Sequence, residues 1–481
     1  MSNVDITSAA GIKALSEALG WTDVRSYGAK GDDSADDTVA IKGAIAGATG
    51  KLYFPPGIYC ISDTLVLRSA IEYVGPQGGT FLPNQEHPTA GYGACLKWIG
   101  SAGGTMVKAF NFRSIKWHGI DLDGVDYTDD VQGFLFDDDN TTVAASRVHM
   151  EDTCIFNCGD AITIGTAASD WNLDNFTFNH IHIYLCNNGI ISNTQNLAYS
   201  SIKNCNIGIY KKGIYLNYAG FAEISNCAFS AYQNRVAGDG FIVLGVTGAI
   251  TIKQTQGEAG AFTGWKHLVC VNGVSTFTPI TLSSNVIDCE IELSTARKVI
   301  STGNQYNAGV TFLAGGSGIV WDSQGDHYGA GIGITDSGTN NIIVESTPEY
   351  NGNINIIYRS TFNNTVYYQL DYDGKITIPY NYQWSVDTNP HDLGVSANGG
   401  SGGSTLLISC SGHLDVGNNT CSELFLIRLG YDGDNVEATS ISRDEGLAGV
   451  YPTWTFGVTA GHNLSVTSSL AVACKYKIIS Q

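Results

Sequence analysis

Short apolar runs alternate with polar residues through the middle of the chain, and five of them close on a cysteine. Aligned on it they read HMEDTCIFNC (149–158), TFNHIHIYLC (177–186), NLAYSSIKNC (196–205), YAGFAEISNC (218–227) and ITLSSNVIDC (280–289). Three places before the cysteine stand Ile155, Ile183, Ile202, Ile224 and Val286; four places after it stand Ile162, Ile190, Ile209, Ala231 and Leu293. From Cys158 the steps are 28, 19 and 22 residues, then 62, a gap with room for two less regular rows. A period of about 20 to 30 residues, built from short strands and turns, predicts a solenoid, here a right-handed parallel β-helix. Coils lie about 4.8 Å apart, so equivalent side chains stack and the isoleucines form an inward stripe. One place before the cysteine stand Asn157, Leu185, Asn204, Asn226 and Asp288. Asparagine tolerates the positive φ of a tight turn, and its amide can bond to the coil above. Leu185 and Asp288 break that series.

An open solenoid end exposes core and strand edges, so it needs a cap. In DVRSYGAKGDDSADDTVAIKGAIAGATGKLYFPPGIY (23–59), Asp36 or Asp37 can N-cap a short helix. Ile41, Ile45 and Ala48 share one face, and Gly50 ends the helix. Strands Lys51–Phe54 and Ile58–Ile61 follow, joined around Pro55-Pro56-Gly57.

Composition supports a mostly β chain. Charged residues are 15% of 481, too few for long amphipathic helices, and there are 58 glycines. The net charge of −20 repels nucleic-acid backbones. The start, MSNVDITSAAG, lacks the pattern of an export signal, and no apolar run reaches the length of a membrane span, so membrane insertion is not expected. The twelve cysteines form no CxxC or zinc pattern. Cys154 and Cys158, about 13 Å apart on a strand, are too distant to bridge, so reduced core thiols are expected.

Three regions follow: a polar lead-in over 1–22 with a possible helix from Ile12 to Leu19, the capped solenoid over 23–375, and a β-rich end over 376–481. ANGGSGGS (397–404) reads as a flexible tip. STLLISCSG, ELFLIRLGY and YPTWTFGVT predict antiparallel strands of a small sandwich.

The stretch DVRSYGAKGDDSADDTVAIKGAI, followed by LYFPPGIY, resembles the entry motif of pectate-lyase-like β-helix proteins, which include bacteriophage tailspikes. Asp33 replaces the customary second glycine of that loop. The resemblance covers about 40 residues and is specific for the fold rather than the chemistry. It implies a homotrimer in the phage virion, attached to the tail, baseplate or another fibre through its N-terminus. It also implies cleavage of a bacterial capsule, exopolysaccharide or O-antigen, by hydrolysis in preference to β-elimination. A non-catalytic glycan-binding fibre and a bacterial polysaccharide lyase or hydrolase are the alternatives. The β-rich end would join chains or bind sugar.

Glycoside hydrolysis needs two carboxylates at a defined separation. SDWNLDNF offers Asp170 and Asp174 around Trp171, whose ring can stack on a sugar. Two outward columns, Cys154, His182, Ser201, Glu223 and Phe156, Tyr184, Lys203, Ser225, are expected on one face. Glu223 with Asp239 would suit hydrolysis; His182, Tyr184 and Lys203 would suit elimination. GIDLDG (119–124) is expected to point Asp121 and Asp123 outward, and Asp322, Asp326 and His327 form a lesser cluster. DDDN (137–140) lacks the spacing of a calcium loop. No metal site or cofactor is read, and neither the polygalacturonase motifs nor a Ser-His-Asp order, phosphate loop or dinucleotide fingerprint stands out.

Overall fold

The computed structural model describes residues 20–76, 93–139, 146–167, 173–194, 196–271, 279–294, 298–313 and 319–329, with shorter stretches and strands beyond. The proposed helix at 12–19, the tip at 397–404 and residues Asp170 and Trp171 lie outside the described residues. Two compact units result: residues 1–366 with 370–375, and residues 367–369 with 376–481.

The first unit is a parallel β-helix with three ladders of strands. The first ladder climbs from Trp21–Asp23 through Lys51–Tyr53, Ile71–Val74 and Ile115–His118 to Val320–Gln324. Its inward column reads Leu52, Tyr73, Trp117, Met150, Phe178, Ile202, Ile224, Ile252 and Leu282. The second ladder stacks Tyr59, Leu96, Leu122, Ile155, Ile183, Ile207 and Phe229. The third stacks Phe134, Ile162, Ile190, Ile214, Ile242, Leu268, Ile291 and Val310. All these side chains are buried, and apolar burial of this kind is what holds the coils in register.

The inward stripe expected from the cysteine alignment is therefore two columns. Ile155 stacks on Ile183, but Ile202 stacks on Phe178 and belongs to the first ladder. The cause is local. A residue in left-handed conformation followed by a buried cysteine occurs at two different corners of the coil. Asn157 and Leu185 serve the turn between second and third ladders, whereas Asn204 and Asn226 serve the bend between first and second. Both turns carry the same Asn-Cys phrase, so aligning on cysteine merges them. Val286 is also off the stripe; it pairs with Gln256 and points outward, half-buried. The 62-residue gap holds one coil, from Ile250 to Cys270.

The cap forms with two changes, one at the N-cap and one at the far end, where the helix stops at Gly47 rather than at Gly50. The helix runs Thr38–Gly47 and buries Ile41 and Ile45, with Ala48 buried just after it. Asp37 occupies the N-cap position, but its carboxylate turns back to accept from the backbone of Lys30 and Gly31 at 2.7 and 3.0 Å. Asp36 accepts from Thr38 N instead, at 2.9 Å. Arg68 closes the other end, donating Nη1 to the carbonyls of Ile45, Ala46 and Ala48. Asp33, in the place of the customary glycine, adopts φ +57 and is held by Lys97 at 2.8 Å.

Nine cysteines among the described residues are free and buried. Past Val320–Gln324 the first ladder gains Ile342–Tyr350, which then pairs antiparallel with Asn353–Ser360. The second unit holds a five-stranded antiparallel sheet in the order Trp384–Val386, Val472–Ser480, Thr405–Leu414, Asn419–Leu429, Val436–Asp444. A three-stranded antiparallel sheet contains His391–Ser396, Asn463–Ser468 and Trp454–Val458. Among the described residues, no helix is long and apolar enough to cross a membrane.

Candidate functional site

The bend between the first and second ladders repeats one conformation up the coil. Asp152, His180, Asn204, Asn226 and Gln254 all have φ between 50 and 57°. A bend of this kind turns the side chain at its corner outward, and the column borders an open groove of about 590 Å³. Six carboxamides line it: Asn179, Asn204, Asn206, Asn226, Gln254 and Gln256. Each amide both donates and accepts, which matches the hydroxyls of a sugar. The amides also brace one another: Asn226 Nδ2 donates to Asn204 Oδ1 and Asn204 Nδ2 to Asn179 Oδ1, at 2.6 and 2.7 Å.

At one end of the groove the bend residues are Asp152 and His180, whose Oδ1 and Nδ1 lie 2.5 Å apart. Two residues along the second ladder, His182 packs edge-on against His180, and Tyr184 stacks beyond it. His182 Nδ1 and Tyr184 Oη are 3.3 Å apart, and Asn206 Nδ2 donates to that hydroxyl at 2.9 Å. Burial, aided by neighbouring His180, holds the His182 imidazole below its usual pKa, so it is neutral. Burial pushes the Tyr184 phenol up to about 12, so it keeps its proton. A neutral imidazole that can take a proton thus stands beside a phenol that can give one.

Further carboxylates and histidines gather around Asp152. His118 Nδ1 lies 3.2 Å from Glu151 Oε1 and 3.7 Å from Asp152 Oδ2, and His149 Nε2 lies 3.2 Å from Glu151 Oε2. One ligand atom each from His118, Glu151 and Asp152 falls within 4.8 Å of the others. His118, His149, Glu151, Asp152 and His180 are not singled out by the sequence. Their signal was present as His-x-Glu-Asp at 149–152 and His-x-His-x-Tyr at 180–184, but only register shows that they share one edge.

The expected outward columns divide between two ladders. His182 follows Cys154 on the second, whereas Glu223 follows Ser201 on the first. Phe156 is fully buried, in a cluster with Ile58, Cys95 and Cys154. Lys203 and Lys253 bracket Glu223 at 3.3 and 3.2 Å. Burial alone would raise that carboxyl, but the bonds from Lys253 and Ser225 and the Lys203 charge hold it below its usual value. Asp239 sits at the start of a third-ladder strand, buried and paired with Lys212 at 3.1 Å. Glu223 and Asp239 are therefore on different ladders, the first paired with two lysines and the second with one. Asp174 opens a first-ladder strand six residues before the bend, roughly 20 Å away along it. Burial pushes its carboxyl above the usual value.

The aspartates expected outside in GIDLDG are buried. Asp121 accepts from Cys154 N, and Asp123 from Val125 N and Asn157 Nδ2. Asp326 is buried as well. It accepts both nitrogens of Asn304 and the Ser323 hydroxyl, ending an amide ladder through Asn285. Asp322 and His327 stand on separate strands.

The entry segment is similar to that of pectate-lyase-like β-helix proteins. Residues 21–87 match the family described as rhamnogalacturonase A/epimerase, pectate lyase-like. A non-secreted LysM effector of Penicillium expansum is 37% identical over 68 residues, which cover 11% of this chain and 5% of that protein. An Acinetobacter phage tailspike protein superposes with a TM-score of 0.44 at 14% identity, over 96% of this chain and 88% of its own. The A-module of a mannuronan C-5 epimerase from Azotobacter vinelandii gives 0.36 at 15% identity, over 68% and 98%.

Proposed function

We propose that the protein is a depolymerase of the phage-tailspike type, which binds a bacterial surface polysaccharide along the amide-lined groove and cleaves it. It would act as a homotrimer carried in the virion and attached to the phage tail through its N-terminal segment. The observation that carries the cleavage reading is the His182–Tyr184 pair, adjoining the groove through Asn206 and His180.

That pair favours β-elimination. A base removes the proton from the carbon beside a uronate carboxylate, the C–H electrons form a C=C bond, and the glycosidic C–O bond breaks as the leaving oxygen takes a proton. His182 supplies the base and Tyr184 the acid. Their 3.3 Å contact is long enough for an incoming sugar to part them. The carboxamides hold hydroxyls on neighbouring sugar units and fix the chain along the coil axis.

Hydrolysis, which the sequence favoured, keeps one supporting observation. Glu151 and Asp152 present oxygens within 4.8 Å at the same edge, near the separation of about 5–5.5 Å used by a retaining carboxylate pair. Incubating the full chain with capsule, exopolysaccharide and O-antigen from candidate hosts separates the readings. New reducing ends with the ultraviolet absorbance of an unsaturated uronate support elimination. Reducing ends without that absorbance support hydrolysis. Binding with neither makes the protein a glycan-binding fibre and ends the depolymerase reading.

A further inference from the structure

We propose that His118, Glu151 and Asp152 form a binding site for one divalent cation of zinc-like character. The three residues come from adjacent coils and meet because Glu151 lies in register over His118, with Asp152 at the bend beside it. A zinc ion takes histidine nitrogen and carboxylate oxygen at about 2.0–2.2 Å, so tetrahedral ligands stand about 3.3 Å from one another. The 3.2 and 3.7 Å between His118 Nδ1 and the two carboxylate oxygens are close to that spacing.

Two further features fit. His118 Nδ1 is shielded from solvent and takes no hydrogen bond, yet it faces oxygens of both carboxylates. Two carboxylates close to a ring nitrogen that makes no hydrogen bond leave negative charge there that a cation among the three would compensate. The outer oxygen of each carboxylate is held by its own histidine, Glu151 Oε2 by His149 and Asp152 Oδ1 by His180. Metal-bound carboxylates are commonly oriented by outer partners in this way. One nitrogen with two oxygens selects a borderline cation over calcium, which takes six to eight oxygens. Asp152 also lines the groove, so the ion has a route in. The site does not depend on how, or whether, the protein cleaves a polysaccharide.

The test uses the full chain, stripped with chelator and titrated calorimetrically with zinc and separately with calcium. One zinc per chain is expected, with calcium much weaker. His118→Ala and Asp152→Asn, each shown by circular dichroism to be folded, should bind zinc at least about tenfold more weakly. Cobalt provides a reading on the unmodified protein. Intense visible bands from a low-symmetry nitrogen and oxygen site support the proposal. Thiolate charge-transfer bands would place the ion on cysteine, and the weak spectrum of hydrated cobalt would mean no site; either overturns it. So would the lack of a stoichiometric zinc, or zinc affinity unchanged in folded His118→Ala.

Discussion

Asn226 donates its side-chain amide to Asn204 Oδ1, 2.6 Å away on the neighbouring coil, while both residues hold left-handed backbone with φ of 51 and 55°. One residue type thus meets two demands of the bend, the conformation and the bond between coils. The two can be separated. Asn226→Gly keeps the conformation and loses the bond, at an expected cost of about 1 kcal/mol. Asn226→Ala loses the bond and strains the backbone, so about 2 kcal/mol is expected. Urea unfolding of both variants checks this; an alanine variant no weaker than the glycine variant would remove the conformational half of the explanation.

Leu185 holds φ 54° at the corresponding place in the other turn, with Asn157 on the coil before it. Leucine has neither the freedom of glycine nor the local bonding of asparagine that makes this region tolerable. Leu185→Asn should therefore stabilise the protein by up to about 1 kcal/mol. A lower melting temperature would show that the packing of the half-buried leucine outweighs the strain.

These two turns also mark what could be read before folding. The helix of the cap, the coil and the antiparallel end were visible because apolar alternation and turn residues are local properties. Register was not. Asn157 and Asn204 look alike in sequence because both precede a buried cysteine, yet they lie at different corners, so one assumed column merged two faces. The site suffered directly: Glu223 was grouped with His182 although they stand on different ladders. His182 and Tyr184 were found because they neighbour an inward isoleucine on their own strand. His118 lies 62 residues before His180, and only the stacking of three coils brings both against Asp152.

The buried His267 predicts a pH dependence of stability. Thr255 Oγ1 donates to Asn285 Oδ1, so it accepts from His267 Nε2 at 3.0 Å. The imidazole therefore carries its proton on Nε2, while Nδ1 is buried with no hydrogen bond. Burial lowers its pKa to about 4, well under the usual 6.5. The unfolded chain binds the proton more readily, so the stabilisation is complete above pH 6.5 and is lost as pH falls towards 4. The loss is on the order of 3 kcal/mol over that window. Thermal melts from pH 7 to 4 should fall more steeply for the wild type than for His267→Gln. Parallel curves would assign the acid sensitivity to other groups.

The sharpest test of the groove compares His182 and Tyr184 with the carboxylates favoured by sequence. If His182 removes a proton and Tyr184 returns one, His182→Ala and Tyr184→Phe should each lower kcat by about 10²–10⁴-fold while KM changes little. Tyr184→Phe is the more specific of the two, because it keeps the ring that stacks on His182 and removes only the hydroxyl that Asn206 holds. Glu223 is already occupied by Lys203 and Lys253 on the first ladder. Glu223→Gln removes two ion pairs at a partly exposed place, where such pairs contribute little, and should leave kcat within about twofold. The opposite result, with Glu223→Gln inactive and Tyr184→Phe unimpaired, would move the chemistry off the second ladder and restore a carboxylate mechanism on the first.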